Sequence, residues 1–128
     1  MKLFKKLFPS KEKKLYLKMH RRHRKELIKL AKKDAEWDYG FLHTLIITKI
    51  RHMYEYYSLG NNVWQTDETR LPIVDELKHV LDLQKKLDDL WKEPYVGVER
   101  YHQRLKREHN LYKEIYKYIG ANLQKWWD

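Results

Sequence analysis

The sequence predicts an all-α fold, an antiparallel helical bundle of three to four helices with a basic amphipathic N-terminal helix. Three observations predict it. Apolar residues recur at three- and four-residue steps almost throughout, which is the period of a helix with one buried face. No stretch alternates apolar and polar residues for long enough to argue for a strand. Four glycines and three prolines are all that punctuate 128 residues.

Pro9 and Ser10 mark the first start, with Ser10 the expected N-cap. From there to about Lys33, Tyr16, Met19, His23, Leu27 and Leu30 form one stripe at about 100° per residue. Lys18, Arg21, Arg22, Lys25, Lys29 and Lys32 fall on the other side. Asp38 is the expected N-cap of a second helix that runs to about Ser58 and stops at Gly60. Its stripe is Leu42, Leu45, Ile46, Ile50, Met53 and Tyr57, with Ile47 and Tyr54 on another flank. So broad an apolar face predicts contact with more than one neighbour, and this helix is expected to be central.

A third helix begins near Thr66 to Thr69, with Pro72 tolerated in a first turn whose N–H groups lack helical partners. Ile73, Leu77, Val80, Leu81, Leu87 and Trp91 are its stripe. After Pro94 and Gly97 a fourth helix runs from about Val98 to Trp126. Its predicted stripe passes through Tyr101, Leu105, Tyr112, Ile115, Tyr116, Ile119 and Leu123. In domain terms this reads as a basic amphipathic segment at 1–10, a basic helix at 11–35 and a helical core at 36–128.

Charge is distributed very unevenly along this chain. Residues 1–33 hold fourteen Lys and Arg against two acids, Glu12 and Glu26, whereas residues 34–128 hold fourteen bases and sixteen acids. The net charge of +10 therefore originates at one end. Concentrated positive charge attracts polyanions and speeds encounter with them. The absence of cysteine excludes disulfides, thiolate nucleophiles and cysteine-built zinc sites. No apolar run approaches the roughly 18 residues of a spanning helix, and Met1 to Phe8 is too short for a secretory segment. The expected setting is a soluble protein in a host cytoplasm, with no integral membrane part.

Two segments carry a resemblance. One is Trp37-Asp38-Tyr39-Gly40-Phe41-Leu42 followed by Ile46 to Tyr57. The other is the ending Ile119-Gly120-Ala121-Asn122-Leu123-Gln124-Lys125-Trp126-Trp127-Asp128. Over roughly residues 36 to 128 the chain resembles a group of small, uncharacterised helical bacteriophage proteins with a WD-aromatic helix start and a terminal WWD. The resemblance implies a phage origin and a helical fold, and supplies no catalytic residues and no cofactor.

Several constellations invite a chemical reading. Glu76/His79 and Glu99/His102 have the Glu-x-x-His spacing of di-iron bundles, which aim two such motifs and two more glutamates inward. Here Glu99 falls roughly 140° and Glu76 roughly 80° from their stripes, so solvated positions are expected and no metal is assigned. His20 and His23 lie among arginines that disfavour a cation, and His23 is expected to be a partly buried stripe residue. Lys49 projects onto the face of Leu42 and Met53, where an ammonium must reach water, meet a carboxylate or meet a ligand. It is the candidate pocket residue.

Arg100, Arg104 and Arg107 line one flank of the fourth helix beside Leu111 and Tyr118. Basic groups interleaved with aromatics grip phosphates and stack bases. Together with Lys18, Arg21, Arg22, Arg24, Lys25, Lys29 and Lys32 they form the candidate anion-binding set. Trp126, Trp127 and the loop residue Trp64 are candidate interface anchors. There is no Gly-rich phosphate loop, no supported Ser/His/Asp order and no buried carboxylate pair, so an enzyme is not expected.

The leading expectation is a non-enzymatic phage accessory protein that binds nucleic acid or another polyanion through its first helix. A second is an antagonist of host antiviral defence, which would bind a host protein or sequester a cyclic nucleotide as a homo-oligomer. A third is membrane-surface binding by Met1 to Phe8 and the basic helix.

Overall fold

The computed structural model describes residues 10–34, 38–59, 66–94 and 97–126. The fold is the expected all-α antiparallel bundle. Among the described residues the helices are α1 (Ser10–Ala31), α2 (Tyr39–Ser58), α3 (Asp67–Lys92) and α4 (Val98–Asn122), with a 3₁₀ turn at Leu123–Lys125 and no strand. Met1 to Phe8, Gly60, Trp64 and Trp127 lie outside the described residues. No described helix is long and apolar enough to cross a membrane. The described chain groups into two compact units that divide within α3, between Val74 and Asp75.

In the first unit α1 and α2 run antiparallel, since Tyr16 meets Tyr56 while Glu26 meets Arg51 and His52. Met19 and His23 of the expected stripe are buried, and Tyr16, Leu27 and Leu30 are half-buried. Asp38 caps α2 as expected, its Oδ1 accepting the Gly40 N–H at 2.8 Å. This satisfies one of the four N–H groups that a helix start leaves without a partner.

α2 buries two opposed faces rather than one broad one. His43, Ile50 and Tyr57 lie on one, and Thr48 and His52 on the other, the side that meets α1. Leu42 and Lys49, expected on the buried stripe, stand at the exposed edge between these faces. The reason is chemical: Thr48 and His52 read as polar, yet both are buried, so the apolar count placed the stripe centre in the wrong quadrant.

Thr66 opens α3, its carbonyl accepting the N–H groups of Thr69 and Arg70. Pro72 falls one turn further in than expected, inside the helix. The missing N–H there leaves the carbonyl of exposed Glu68, four residues back, to water. Arg70 ties the helix start to α2, donating to the Tyr57 carbonyl at 2.7 Å and pairing with Asp67.

The second unit is an antiparallel pairing of α3 from Asp75 onward with α4. His79 meets Tyr118 at one end and Glu93 meets Arg107 at the other. Leu77, Val80, Leu83, Leu87, Leu90 and Ile115 are its buried core. Counting from Ile73, the buried positions of α3 advance by four, three, three, four and three residues, a mean step below 3.6, so the stripe winds around the helix. That winding buries Leu83 and Leu90, which the expected stripe omits, and leaves Trp91 49% exposed.

α4 is turned relative to expectation. Arg104 and Ile115 are buried and Leu111 and Tyr118 half-buried, whereas Tyr101, Leu105, Tyr116 and Leu123 are exposed. Gly97, just before α4, has φ of 88°, a left-handed conformation that side chains with a Cβ rarely adopt.

Leu77 has no exposed surface, while Leu42 is 57% exposed. Leu77→Ala is expected to lower unfolding free energy by about 2–5 kcal/mol and Leu42→Ala by less than about 0.5 kcal/mol. Urea denaturation followed by circular dichroism measures both.

Candidate functional site

The α1–α2 junction brings together six ionisable side chains that the sequence separates by more than twenty residues. Arg22, His23 and Glu26 lie one turn apart on α1, and Arg51, His52 and Glu55 lie one turn apart on α2. The two imidazoles stack, with centroids 3.8 Å apart and planes 8° from parallel. His23 Nε2 donates to Glu55 Oε2 at 3.3 Å, and His52 Nε2 donates to Glu26 Oε1 at 3.2 Å. Glu55 also accepts from Arg22 and Arg51, and Arg51 pairs with Glu26. The helices are thus cross-linked by reciprocal bonds around a stacked pair.

Burial sets the protonation of this junction. His52 is 3% exposed and its Nδ1 is buried without a hydrogen-bond partner among the described residues. Desolvation, the stacked His23 and the nearby Arg51 and Lys49 push its pKa down to about 4. His23 is also lowered, mainly by desolvation and despite its bond to Glu55. Against its desolvation, Glu55 is held below the ordinary carboxylate range by hydrogen bonds from Arg22 and His23 and by the charge of Arg22. Both rings are accordingly neutral at pH 7, and stacking them carries no charge repulsion.

The junction also decides which cations face out. Glu26 and Glu55 are taken up by Arg22, Arg51 and the two histidines. On the far side of α1, Lys18, Arg21, Arg24, Lys25, Lys29 and Lys32 are exposed, and no carboxylate among the described residues forms an ion pair with them. Arg22 sits at the seam, paired with Glu55 but with 60% of its side chain exposed. Tyr16 stacks on His20, centroids 5.8 Å apart, at the start of this face.

The α4 arginines do not form one open flank among themselves. Arg104 is buried, donating to the Glu93 carbonyl beyond the end of α3, with its guanidinium 5.5 Å from the Trp91 ring. A cation is favoured beside the carbonyls that end a helix, and the aromatic face adds to that. Arg104 is therefore a structural side chain, which corrects its placement on an open flank. Arg107 is exposed and pairs with Glu93 at 2.9 Å. Arg100 alone of the three is exposed with no such pairing.

Lys49 is exposed, and it lines neither the groove between α1 and α2 nor the one along the outer side of α1. Trp126 is buried, its indole N–H donating to Glu76 Oε2 at 3.0 Å. It anchors the end of the second unit. Glu76 is engaged there, with Lys125 3.8 Å away as well, while His79 packs on Tyr118, and Glu99 and His102 are exposed. Among the described residues no group of three or more His, Asp or Glu is disposed to hold a metal ion.

Sequence reasoning missed His52, Glu55, Arg51 and Glu26 as a unit. The signal was present as two charged-histidine turns on consecutive helices, Arg22/His23/Glu26 and Arg51/His52/Glu55, but it has meaning only once the helices are antiparallel. Comparison with known protein families, curated proteins and solved structures finds no match to this chain.

The low His52 pKa means that the unfolded chain takes up its proton near pH 6.5 and the folded chain only near pH 4. Between these values the unfolded state binds more protons, so stability falls as pH falls, by at most about 1.4 kcal/mol per pH unit for one site. Glu55, with its lowered pKa, adds loss below the ordinary carboxylate range in the same direction. Urea midpoints measured between pH 7 and 4.5 are expected to decline, and His52→Gln is expected to flatten the decline. An unchanged slope in that variant contradicts the assignment.

Proposed function

We propose that this chain is a non-enzymatic phage accessory protein that binds a polyanion, nucleic acid above all, through the outer face of α1. One observation carries the reading: six exposed cations on that face have no ion-pairing carboxylate among the described residues, because the acids at the α1–α2 junction are bound inward. Cations not committed to carboxylates are free to neutralise phosphates, and release of the counterions condensed on the phosphate backbone is what drives such binding. Long Lys and Arg side chains on a helix contact phosphates without reading bases, so binding is sequence-independent. Arg100 lies on α4 and is not required.

A second reading, an oligomer that docks a host protein or sequesters a nucleotide signal, draws on one feature. Tyr101, Leu105, Tyr116 and Leu123 leave an exposed apolar flank along α4. Such flanks mark association surfaces when they are contiguous.

Mass photometry with and without an oligonucleotide at about 50 and 200 mM salt separates the two readings. Six phosphate contacts predict a loss of affinity of about three-hundredfold for a single strand and about a thousandfold or more for a duplex over that range. Replacing Arg24, Lys25 and Lys29 together by alanine is expected to weaken binding and lower the log–log salt slope by about two to three. Negligible binding at the lower salt overturns the polyanion reading. A particle of twice the protomer mass in the absence of nucleic acid favours the second.

A further inference from the structure

We infer that the polyanion is single-stranded, and that one of its unpaired bases enters the groove between α1 and α2; this rests on the polyanion reading. The groove is lined by Leu15 and Met19 of α1 and by Tyr54 and Leu59 of the α2 end, with Lys18 and Arg22 on its α1 side. Leu15 is 53% exposed, an apolar side chain held in water at the groove mouth.

Two features select a base. The first is charge placement. Lys18, Arg22, Lys25 and Lys29 advance by four, three and four residues, which keeps them on one line of α1, and Lys32 follows in the turn just past its end. At 1.5 Å per residue the helical line is about 16 Å long, with cations every 4.5–6 Å or so. The groove opens at its Lys18–Arg22 end. A strand whose phosphates follow this line brings a nucleoside to the groove.

The second is the chemistry of the lining. On its α2 side Ser58 and Glu55 are already committed, because Ser58 donates to the Tyr54 carbonyl at 2.6 Å and Glu55 is bound by Arg22, His23 and Arg51. What remains is apolar and aromatic surface, which takes the face of any base and discriminates little among them. In a duplex that face is stacked between neighbouring pairs and cannot reach a groove of this kind. An unpaired base can.

Fluorescence anisotropy at one low salt concentration tests this with three probes: labelled oligo-dT, a duplex of the same length, and inorganic polyphosphate as a base-free polyanion. The full chain is expected to bind the single strand about fivefold or more tightly than the duplex, the lower end of what one stacked base contributes. Leu15→Ala/Leu59→Ala alters two exposed side chains and leaves every cation in place. It is expected to bring single strand and duplex close to parity while polyphosphate affinity stays unchanged. A wild-type preference for duplex, a preference that survives in the double variant, or an equal loss for all three probes overturns the inference and leaves the polyanion reading intact. No binding of any probe by the wild-type chain overturns both.

Discussion

The junction between α1 and α2 is the constraint on which the rest depends. A helix with as many cations as α1 repels itself and gains little from packing on another cationic surface. It docks here because its inner turn supplies Glu26 and a neutral His23, and α2 answers with Arg51, His52 and Glu55. The stacked rings add apolar contact that charged imidazoles could not make. Isolated surface ion pairs contribute little; a network that shares partners around buried rings orders each side chain once and uses it several times.

The same arrangement leaves the outer cations of α1 without ion-pairing carboxylates among the described residues. Acids that might have quenched the outer lysines are spent at the seam. The inner side of α1 sets Glu26 and His23 among Tyr16, Met19, Leu27 and Leu30, and only the outer side stays electrostatically open. The second unit has the opposite habit. Arg104 and Arg107 are turned to the carbonyl and carboxylate of Glu93, and Trp126 is held by Glu76. These two arginines stabilise its hairpin.

Much of this was legible in the residues. Helix number, order and starts follow from periodicity, from Asp38 as a cap and from the Pro94–Gly97 break, each a local rule, whereas α4 ends at Asn122, short of the expected Trp126. The outward cations of α1 were also legible, because a helix wheel needs no neighbour to define it. What was hidden depends on partners. The two buried faces of α2 are invisible when Thr48 and His52 are counted as polar, and so Lys49 was drawn inward. The α3 stripe winds, which releases Trp91 and buries Leu90. The inner side of α4 is chosen by Glu93 and Trp91 reaching for Arg104, against an apolar count that favoured Tyr101, Leu105 and Tyr116. In α2 and α4 a polar side chain engaged across two helices, His52 or Arg104, outweighed the hydrophobic pattern of one, and in α3 the short period of the apolar positions did.

The central claim is that the cations of α1 are solvent-open in the free protein and become covered by the polyanion. Amine labelling read by mass spectrometry, with and without a single-stranded oligonucleotide, measures both states at once. The account predicts fast labelling of Lys18, Lys25, Lys29 and Lys32 in the free chain and strong protection of the same four in the complex, with Lys85, Lys86 and Lys113 unchanged. Protection confined to the latter three, or slow labelling of the α1 lysines before any ligand is added, contradicts it.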